Sequence, residues 1–172
     1  MGNRHLLILA VVLVAGNVAA KKHPAPDTAQ AFVDAHNAVR AAVTQPAGYK
    51  GTWTPIPPLA WSEEIAATSQ EWANHLRDDN KCKLVHSDTN YGENLAMGKD
   101  LDVAGAVQMW ANEGRKYRYT PIYEWDIPTG HYTQVIWRKT TQVGCGIASC
   151  GKTNVMVCRY SPPGNHIGKS PY

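Results

Sequence analysis

The sequence has little net charge and no apolar run long enough to cross a membrane. Against 17 Lys and Arg stand 14 Asp and Glu, which leaves a formal net charge of +3. The basic residues are not clustered, so composition argues against a nucleic-acid binder. The chain also lacks internal repeats and low-complexity tracts. Its 172 residues suffice for one buried domain.

The first twenty residues have the layout of a secretory signal peptide. Arg4 precedes an apolar run over residues 6–14, and the small residues Ala19 and Ala20 close the segment. The run is shorter than the roughly 20 residues of a membrane span, which disfavours an N-terminal anchor. We therefore predict cleavage after Ala20 and a secreted, extracellular, soluble protein, or a periplasmic one if the source is a Gram-negative bacterium.

Only four cysteines are present, and all follow the signal segment. They are Cys82, Cys145, Cys150 and Cys158. An even number in an exported chain favours two disulfides, for which three pairings exist. The alternative is a four-cysteine zinc site, but the spacings lack the C-x2-C knuckles that such sites usually carry.

Three helices are predicted, each with a capping residue and an apolar stripe. Asp27 caps the first and forms a capping box with Gln30, Ser62 caps the second, and Asp102 caps the third, which Gly114 ends. The stripes are Phe32, Ala35, Val39 and Val43 in the first helix, Ile65, Ser69, Trp72 and Leu76 in the second, and Val103, Ala106, Val107 and Trp110 in the third.

Strand signals come late in the chain. The segment "HYTQVIW" over 131–137 alternates, and "NVMVCRY" over 154–160 is rich in β-formers. Residues 44–59 contain too many Pro and Gly for a regular element and predict a long surface loop. Early helices and late strands favour an α+β fold, in which helices pack on a small antiparallel sheet.

Glu113 is the most informative single residue. It continues the apolar stripe of the third helix, and it lies in the last turn, where the helix dipole disfavours a carboxylate. A compensating cation is therefore expected, unless Glu113 is a solvated residue at a frayed helix end. His86 and His131 are the two candidates for that partner.

A further glutamate, Glu93, follows Gly92 in the same segment as His86. The two histidines and two glutamates could converge on one cleft. They would then either bind a metal such as zinc with a position open for water, or form a structural network of charge-assisted hydrogen bonds. The chain has no H-E-x-x-H motif, no G-x-S-x-G motif and no cysteine left free as a nucleophile, so the residues indicate no reaction.

Five ordered motifs carry a family resemblance that runs from about Ala31 to the end of the chain. They are "HNAVR", "HS" after "CKLV", "YGENLA", "GHYTQVIW" and "VCRYSPPGNHIG". With these motifs the sequence resembles the CAP superfamily of cysteine-rich secretory, antigen 5 and pathogenesis-related 1 proteins. The short form without a second domain is similar to plant or microbial pathogenesis-related-1-like members.

The resemblance implies a three-layer α-β-α sandwich with a central cleft. After the signal peptide over 1–20 and a Pro-containing linker over 21–27, we expect a CAP domain over 28–160 and a tail over 161–172 that packs on or extends from the domain. The cleft residues that the resemblance implies are the tetrad His86, Glu93, Glu113 and His131. Within it, His86 and His131 are the expected ligands of Zn²⁺ or another divalent metal. The implied disulfides pair Cys82 with Cys150 and Cys145 with Cys158.

In one respect the chain departs from plant members of the family. These members commonly have a further cysteine pair ahead of the "GHYTQ" motif, where this chain has Thr129. We therefore expect the loop over residues 115–129 to be less constrained. The loop over 44–58 also looks longer than usual for the family.

Members of the family differ in role, so the fold does not decide the function. In sterol-binding members an aromatic loop lies between the second glutamate and the second histidine. The equivalent loop here, called the aromatic loop below, contains Tyr117, Tyr119, Ile122, Tyr123 and Trp125. It suits a small hydrophobic ligand such as a sterol or fatty acid, or a membrane lipid, although the aromatics could simply cover a helix.

The leading hypothesis is a monomeric, non-enzymatic protein that binds such a ligand. A metal-assisted hydrolase is the enzyme alternative, in which a glutamate acts as the general base. A third alternative is a defence or effector protein directed at a host or cell-surface protein. The tail "PPGNHIGKSPY" resembles a segment that some plant members release as a peptide, which gives a further hypothesis.

Overall fold

Regular elements alternate along the described chain in a mixed α/β order. The computed structural model describes residues 26–124 and 128–172, so the predicted signal peptide and Trp125 lie outside the described residues. The elements are α1 Pro26–Ala41, β1 Ala60–Trp61, α2 Glu63–Asp78, β2 Gly92–Lys99, α3 Val103–Asn112, a 3-10 turn Glu113–Arg115, α4 Gly130–Val135, β3 Gln142–Cys150 and β4 Thr153–Ser161. Among these residues no helix has the length and apolarity of a membrane span.

One four-stranded sheet has the order β1-β3-β4-β2. Strand β4 is antiparallel to both β3 and β2, as expected. The two-residue strand β1, however, pairs in parallel with β3. The expectation of an antiparallel sheet is therefore wrong at this edge, because the chain reaches β1 from the long loop and leaves it directly into α2.

The sheet has a hydrophobic layer on each face, which confirms the three-layer α-β-α sandwich. On one face α2 packs over Ala148, Val155 and Val157. On the other face α1, α3 and α4 cover a larger cluster that includes Phe32 and Trp110. Neighbouring residues of β4 fall in different clusters because successive side chains of a strand point to opposite faces.

Close packing of α2 on the sheet depends on two glycines in β3. A Cβ atom at Gly144 would collide with the backbone of Ala66, and one at Gly146 would collide with the backbone of Gln70. Gln70 uses this close approach, since its Nε2 donates to Ile147 O at 2.7 Å and its Oε1 accepts from Ile147 N at 3.0 Å. The helix is thus bonded directly to the strand beneath it.

The caps of α2 and α3 are confirmed, but two other boundaries were wrongly predicted. Ser62 Oγ accepts from Ile65 N, and Asp102 Oδ1 accepts from Gly105 N. The described α1 begins at Pro26, so Asp27 is inside the helix rather than its cap. Helix α3 ends at Asn112, and the chain continues as a 3-10 turn that contains Gly114 instead of stopping there.

The segment 130–135 is a helix and not the predicted strand. Alternation of polar and apolar residues predicts a strand only where one face is exposed, whereas Thr133 to Trp137 are all buried. The helix is capped from a distance: Glu113 Oε2 accepts from His131 N at 3.1 Å and from Tyr132 N at 3.2 Å. A cap supplied from 18 residues upstream leaves no local sequence signal.

Helix α1 is fastened to the rest of the domain by Arg40, which is 1% exposed. Its guanidinium donates to four backbone carbonyls, those of Pro57 at 2.7 Å, Val135 at 2.8 Å, Trp137 at 3.0 Å and Thr140 at 3.1 Å. Burial lowers the pKa of Arg40 to about 10, so the side chain remains charged at neutral pH. One cation thereby joins α1 to the loop before β1 and to residues 135–140.

Two disulfides join the four cysteines in the pairs that the family resemblance implies. Cys145 and Cys158 face each other on β3 and β4, with their Cα atoms 4.1 Å apart, and both are fully buried. Cys82 and Cys150 connect the loop after α2 to the end of β3, with a Cα separation of 6.4 Å. The described residues therefore contain no free cysteine.

Candidate functional site

His86 and Glu93 form the first of two histidine–glutamate pairs. His86 Nδ1 lies 2.9 Å from Glu93 Oε1, and because a carboxylate only accepts, the imidazole donates here. The side chain of His86 is 62% exposed, while that of Glu93 is 4% exposed. The hydrogen bond to Glu93 raises the pKa of His86 above its ordinary value.

Glu93 is held in place by more than the histidine. Ser87 Oγ donates to Glu93 Oε2 at 2.5 Å, Ser87 N donates to Oε1 at 3.0 Å, and Arg159 Nε donates to Oε2 at 3.1 Å. Burial acts to raise the pKa of Glu93, but the hydrogen bonds from His86, Ser87 and Arg159 outweigh it and hold the pKa below its ordinary value. The carboxylate is therefore charged at neutral pH.

His131 and Glu113 form the second pair. His131 Nδ1 lies 2.7 Å from Glu113 Oε1, and the other carboxylate oxygen caps α4 as described above. The imidazole of His131 also stacks on the indole of Trp110, with ring centroids 6.3 Å apart. The partners of Glu113 are thus the imidazole of His131 and the positive N-terminal end of a short helix.

A buried chain of hydrogen bonds supports the backbone of His131. Asn94 Nδ2 donates to His131 O at 3.1 Å and to Tyr160 Oη at 3.1 Å, and Tyr160 Oη lies 2.9 Å from His36 Nε2. His36 Nδ1 donates to Phe32 O at 2.7 Å, so its Nε2 accepts from the phenol. Burial lowers the pKa of His36 to about 4, which keeps this ring neutral.

Both pairs are supported by residues at the start of the edge strand β2. Glu93 and Asn94 are consecutive residues of that strand, so their side chains leave opposite faces. Glu93 binds the side chain of His86, and Asn94 binds the backbone of His131. In residues 26–124 and 128–172 no hydrogen bond joins one pair to the other, and no three His, Cys, Asp or Glu residues form a metal-binding group.

Several residues that build the site were not identified from the sequence. They are His36, Ser87, Asn94, Arg159 and Tyr160. Each lies within one of the quoted motifs or directly beside a tetrad residue. Their position in those motifs was the available signal, but the motifs do not show which side chains meet.

Comparison with known proteins identifies the family. Residues 33–160 match the cysteine-rich secretory protein family, designated CAP. The chain belongs to the CAP family. It is 42% identical over 152 residues to pathogenesis-related protein 1C of Nicotiana tabacum, a match that covers 86% of this chain and 83% of that protein.

A second plant relative spans almost the whole CAP chain, and a solved structure shares its fold. Pathogenesis-related protein 1 of Arabidopsis thaliana is 38% identical over 177 residues, covering 99% of this chain and 96% of the relative. The crystal structure of NaASP2 with Zn²⁺ superposes with a TM-score of 0.70 at 25% identity and covers 87% of each chain. The protein is thus a pathogenesis-related-1-like CAP protein.

This CAP protein has an apolar groove between α1 and α3, with a volume of about 500 Å³. Its lining consists mainly of small apolar side chains: Ala35, Ala38, Val39, Ala42, Val43, Ala104, Val107, Gln108, Ala111 and Tyr132. The short side chains of the alanines leave the space between the two helix surfaces unfilled. We call this cavity the α1–α3 groove.

The aromatic loop divides its side chains between two environments. Tyr117, Ile122 and Tyr123 line a smaller cavity of about 350 Å³, the loop pocket, in which the Tyr123 side chain is exposed. Tyr119 instead stacks on Tyr172, with ring centroids 5.5 Å apart. The expected ligand loop is therefore not a single aromatic surface, and Trp125 falls outside the described residues.

Proposed function

We propose that this CAP protein is secreted and binds a small hydrophobic ligand of the fatty-acid or sterol class. The observation that carries the proposal is the α1–α3 groove, whose size falls in the range of about 300–1,000 Å³ typical of small-molecule sites. Its lining contains nine apolar or aromatic residues and one polar residue, Gln108. An elongated acyl chain would remove this apolar surface from water along two helices.

The loop pocket is the second proposed ligand site and suits a more compact ligand. Its walls combine the aromatic rings of Tyr117 and Tyr123 with the buried Ile122. Lys116 and Arg118 on the rim would stay solvated or meet an anionic headgroup. We expect a sterol, if one binds, to depend on Tyr123 rather than on the α1–α3 groove.

For the tetrad we infer a role in holding a divalent metal through His86 and His131. Each histidine directs Nδ1 to a carboxylate, an arrangement that is common around metal ligands and leaves the lone pair of Nε2 free to bind a metal when the ring is neutral. The donor chemistry of imidazole suits zinc. A bound metal would supply a positive centre at the cleft, which Glu93 and Glu113 would complement.

Direct binding measurements on the purified chain without its signal peptide test the ligand proposal. Labelled palmitate and labelled cholesterol are titrated separately into the wild type and into Ala38→Phe, which places a bulky ring in the α1–α3 groove. Ala31→Phe is the matched control, because Ala31 is an exposed residue of the same helix outside the groove lining. We expect Ala38→Phe to weaken palmitate binding by about tenfold or more and Ala31→Phe to leave it unchanged.

Two further results would decide the matter. Absence of saturable binding of either ligand would refute the proposed function. Equal loss of palmitate binding in both variants would place the acyl chain elsewhere.

A separate experiment tests the metal proposal. Calorimetric titration with Zn²⁺ should show binding that His86→Ala and His131→Ala both remove. Unchanged binding in both variants would contradict the assignment of these histidines as metal ligands.

A further inference from the structure

The last eleven residues, 162–172, are called the tail. They lie against the domain as an extended segment, paired through the backbone to the aromatic loop. Gly168 N donates to Ile122 O at 2.7 Å, and Ile122 N donates to Lys169 O at 2.9 Å. These bonds surround a parallel bridge between Ile122 and Ile167. The contact resembles the addition of a short strand to an exposed edge.

The beginning of the tail is bound by side chains around α4. Gly164 N donates to Gln134 Oε1 at 2.9 Å. Asn165 is held by both ends of its amide: Nδ2 donates to Gly130 O at 2.8 Å, and Oδ1 accepts from Thr133 Oγ1 at 2.7 Å. The surface under the tail therefore offers one donor and two acceptors that match polar groups of the tail at fixed positions.

The end of the tail is bound by aromatic rings. Pro171 is buried, and its carbonyl accepts from Arg138 N at 2.8 Å. The Tyr172 ring stacks on Tyr119 at 5.5 Å and meets Trp53 edge to face at 5.2 Å. Tyr119 also donates its phenolic hydrogen to Tyr172 O at 3.0 Å.

The aromatic receptor for Tyr172 is built by parts of the chain outside the tail. Tyr49 packs on Trp53 at 5.3 Å and on Tyr119 at 5.8 Å, and the guanidinium of Arg138 lies 5.2 Å over the Trp53 ring. These residues come from the long loop, the aromatic loop and the turn after α4. None of these three contacts involves a tail residue, and the rings form an aromatic-lined site of the kind that accepts Pro-rich peptides.

Of the apolar residues of the tail, Pro171 is buried and Tyr172 is partly buried against the larger hydrophobic cluster, while Ile167 is 43% exposed. All four strands and both disulfides precede the tail. We propose that the surface under the tail is a peptide-binding site, and that it recognises the tail segment ending in Pro-Tyr even when that segment is supplied as a separate peptide. The inference is independent of any ligand in the α1–α3 groove.

The test uses the whole chain, cut only after it has folded. A short recognition sequence for a specific protease is inserted between Pro162 and Pro163, where Pro162 is exposed and the contacts of Gly164 onward are preserved. After cleavage, gel filtration and mass spectrometry measure how much of the tail stays bound. Exchange is then followed by fluorescence anisotropy with a labelled synthetic peptide of residues 163–172.

We expect the cleaved tail to remain bound and to exchange with the added peptide. A Tyr172→Ala peptide should bind about tenfold more weakly or worse, because two ring contacts are lost. A Lys169→Ala peptide is the matched control and should bind within about twofold of the wild type, since Lys169 is exposed and contributes through its backbone.

Three results would overturn the proposal. The first is release of the tail on cleavage while the near-ultraviolet circular dichroism of the domain stays unchanged. The second is unfolding of the domain on cleavage, which would make the tail part of the folding unit rather than a ligand. The third is equal affinity of the wild-type and Tyr172→Ala peptides, which would remove the aromatic receptor from the binding site. The uncleaved insertion variant serves as the reference for the fold.

Discussion

Replacement of Arg40 by methionine should destabilise the protein more than most single substitutions. Methionine keeps an unbranched apolar side chain in the same space, but it removes every donor of the guanidinium. Of the four carbonyls that Arg40 contacts, that of Trp137 retains a hydrogen bond from Thr140 N at 3.1 Å. Those of Pro57, Val135 and Thr140 lose the donor that they have in the structure.

The expected loss follows from these three carbonyls. Leaving a buried polar group unpaired costs about 1–3 kcal/mol, and water entry favours the lower end, so the sum is about 3–5 kcal/mol. A single domain has a total stability of about 5–15 kcal/mol, and Arg40→Met would therefore remove a large part of it. The stability of Arg40→Lys should lie between those of the wild type and Arg40→Met, because one ammonium group cannot reach all the carbonyls that the planar guanidinium spans.

Urea unfolding followed by tryptophan fluorescence measures these differences. Arg77→Met is the matched control, because Arg77 is exposed and forms a surface ion pair with the neighbouring Asp78, and no measurable change is expected there. A loss below about 1 kcal/mol for Arg40→Met would show that the three carbonyls find other partners, and the reasoning would then be wrong.

The remaining predictions concern three titratable or capping groups. Glu113→Ala should cost about 1–2 kcal/mol in urea unfolding, because α4 loses its cap, and Glu113→Gln should cost less. Stability should fall by up to about 3 kcal/mol as the pH is lowered from 6.5 to about 4, because His36 is protonated in the unfolded chain but stays neutral while it is buried. His36→Gln should remove this dependence of stability on pH. The His86 pair should stabilise fully below about pH 6.5 and lose its effect as pH rises through the raised pKa, which Glu93→Gln should lower in an NMR titration. An unchanged slope or titration would contradict the respective pairing.

Local signals were sufficient for the helices that are capped by their own sequence. Ser62 and Asp102 cap α2 and α3 as predicted, since the side chain and the backbone amide it accepts from are three residues apart. The same reasoning failed for α4, whose cap is the carboxylate of Glu113. Its alternation of polar and apolar residues was real, but burial on all sides made it uninformative.

The candidate site could be anticipated as a set of residues but not as an arrangement. Glu113 was expected to have a cationic partner, and the sequence could not choose between His86 and His131. The choice depends on α4 reaching the end of α3, which is a property of the packed structure. Likewise, the role of Arg159 follows from its place opposite Glu93 on paired strands, which the separate motifs do not show.

The buried disulfide between β3 and β4 fixes more than the distance between two strands. Three consecutive residues of β4 serve three different purposes: Cys158 forms the bond, Arg159 binds Glu93 on one face, and Tyr160 binds Asn94 on the other. A slip of one residue along β4 would send each side chain to the wrong face and dismantle both supports of the candidate site together. Because Cys145 and Cys158 are direct partners, oxidation selects the single alignment in which both supports form.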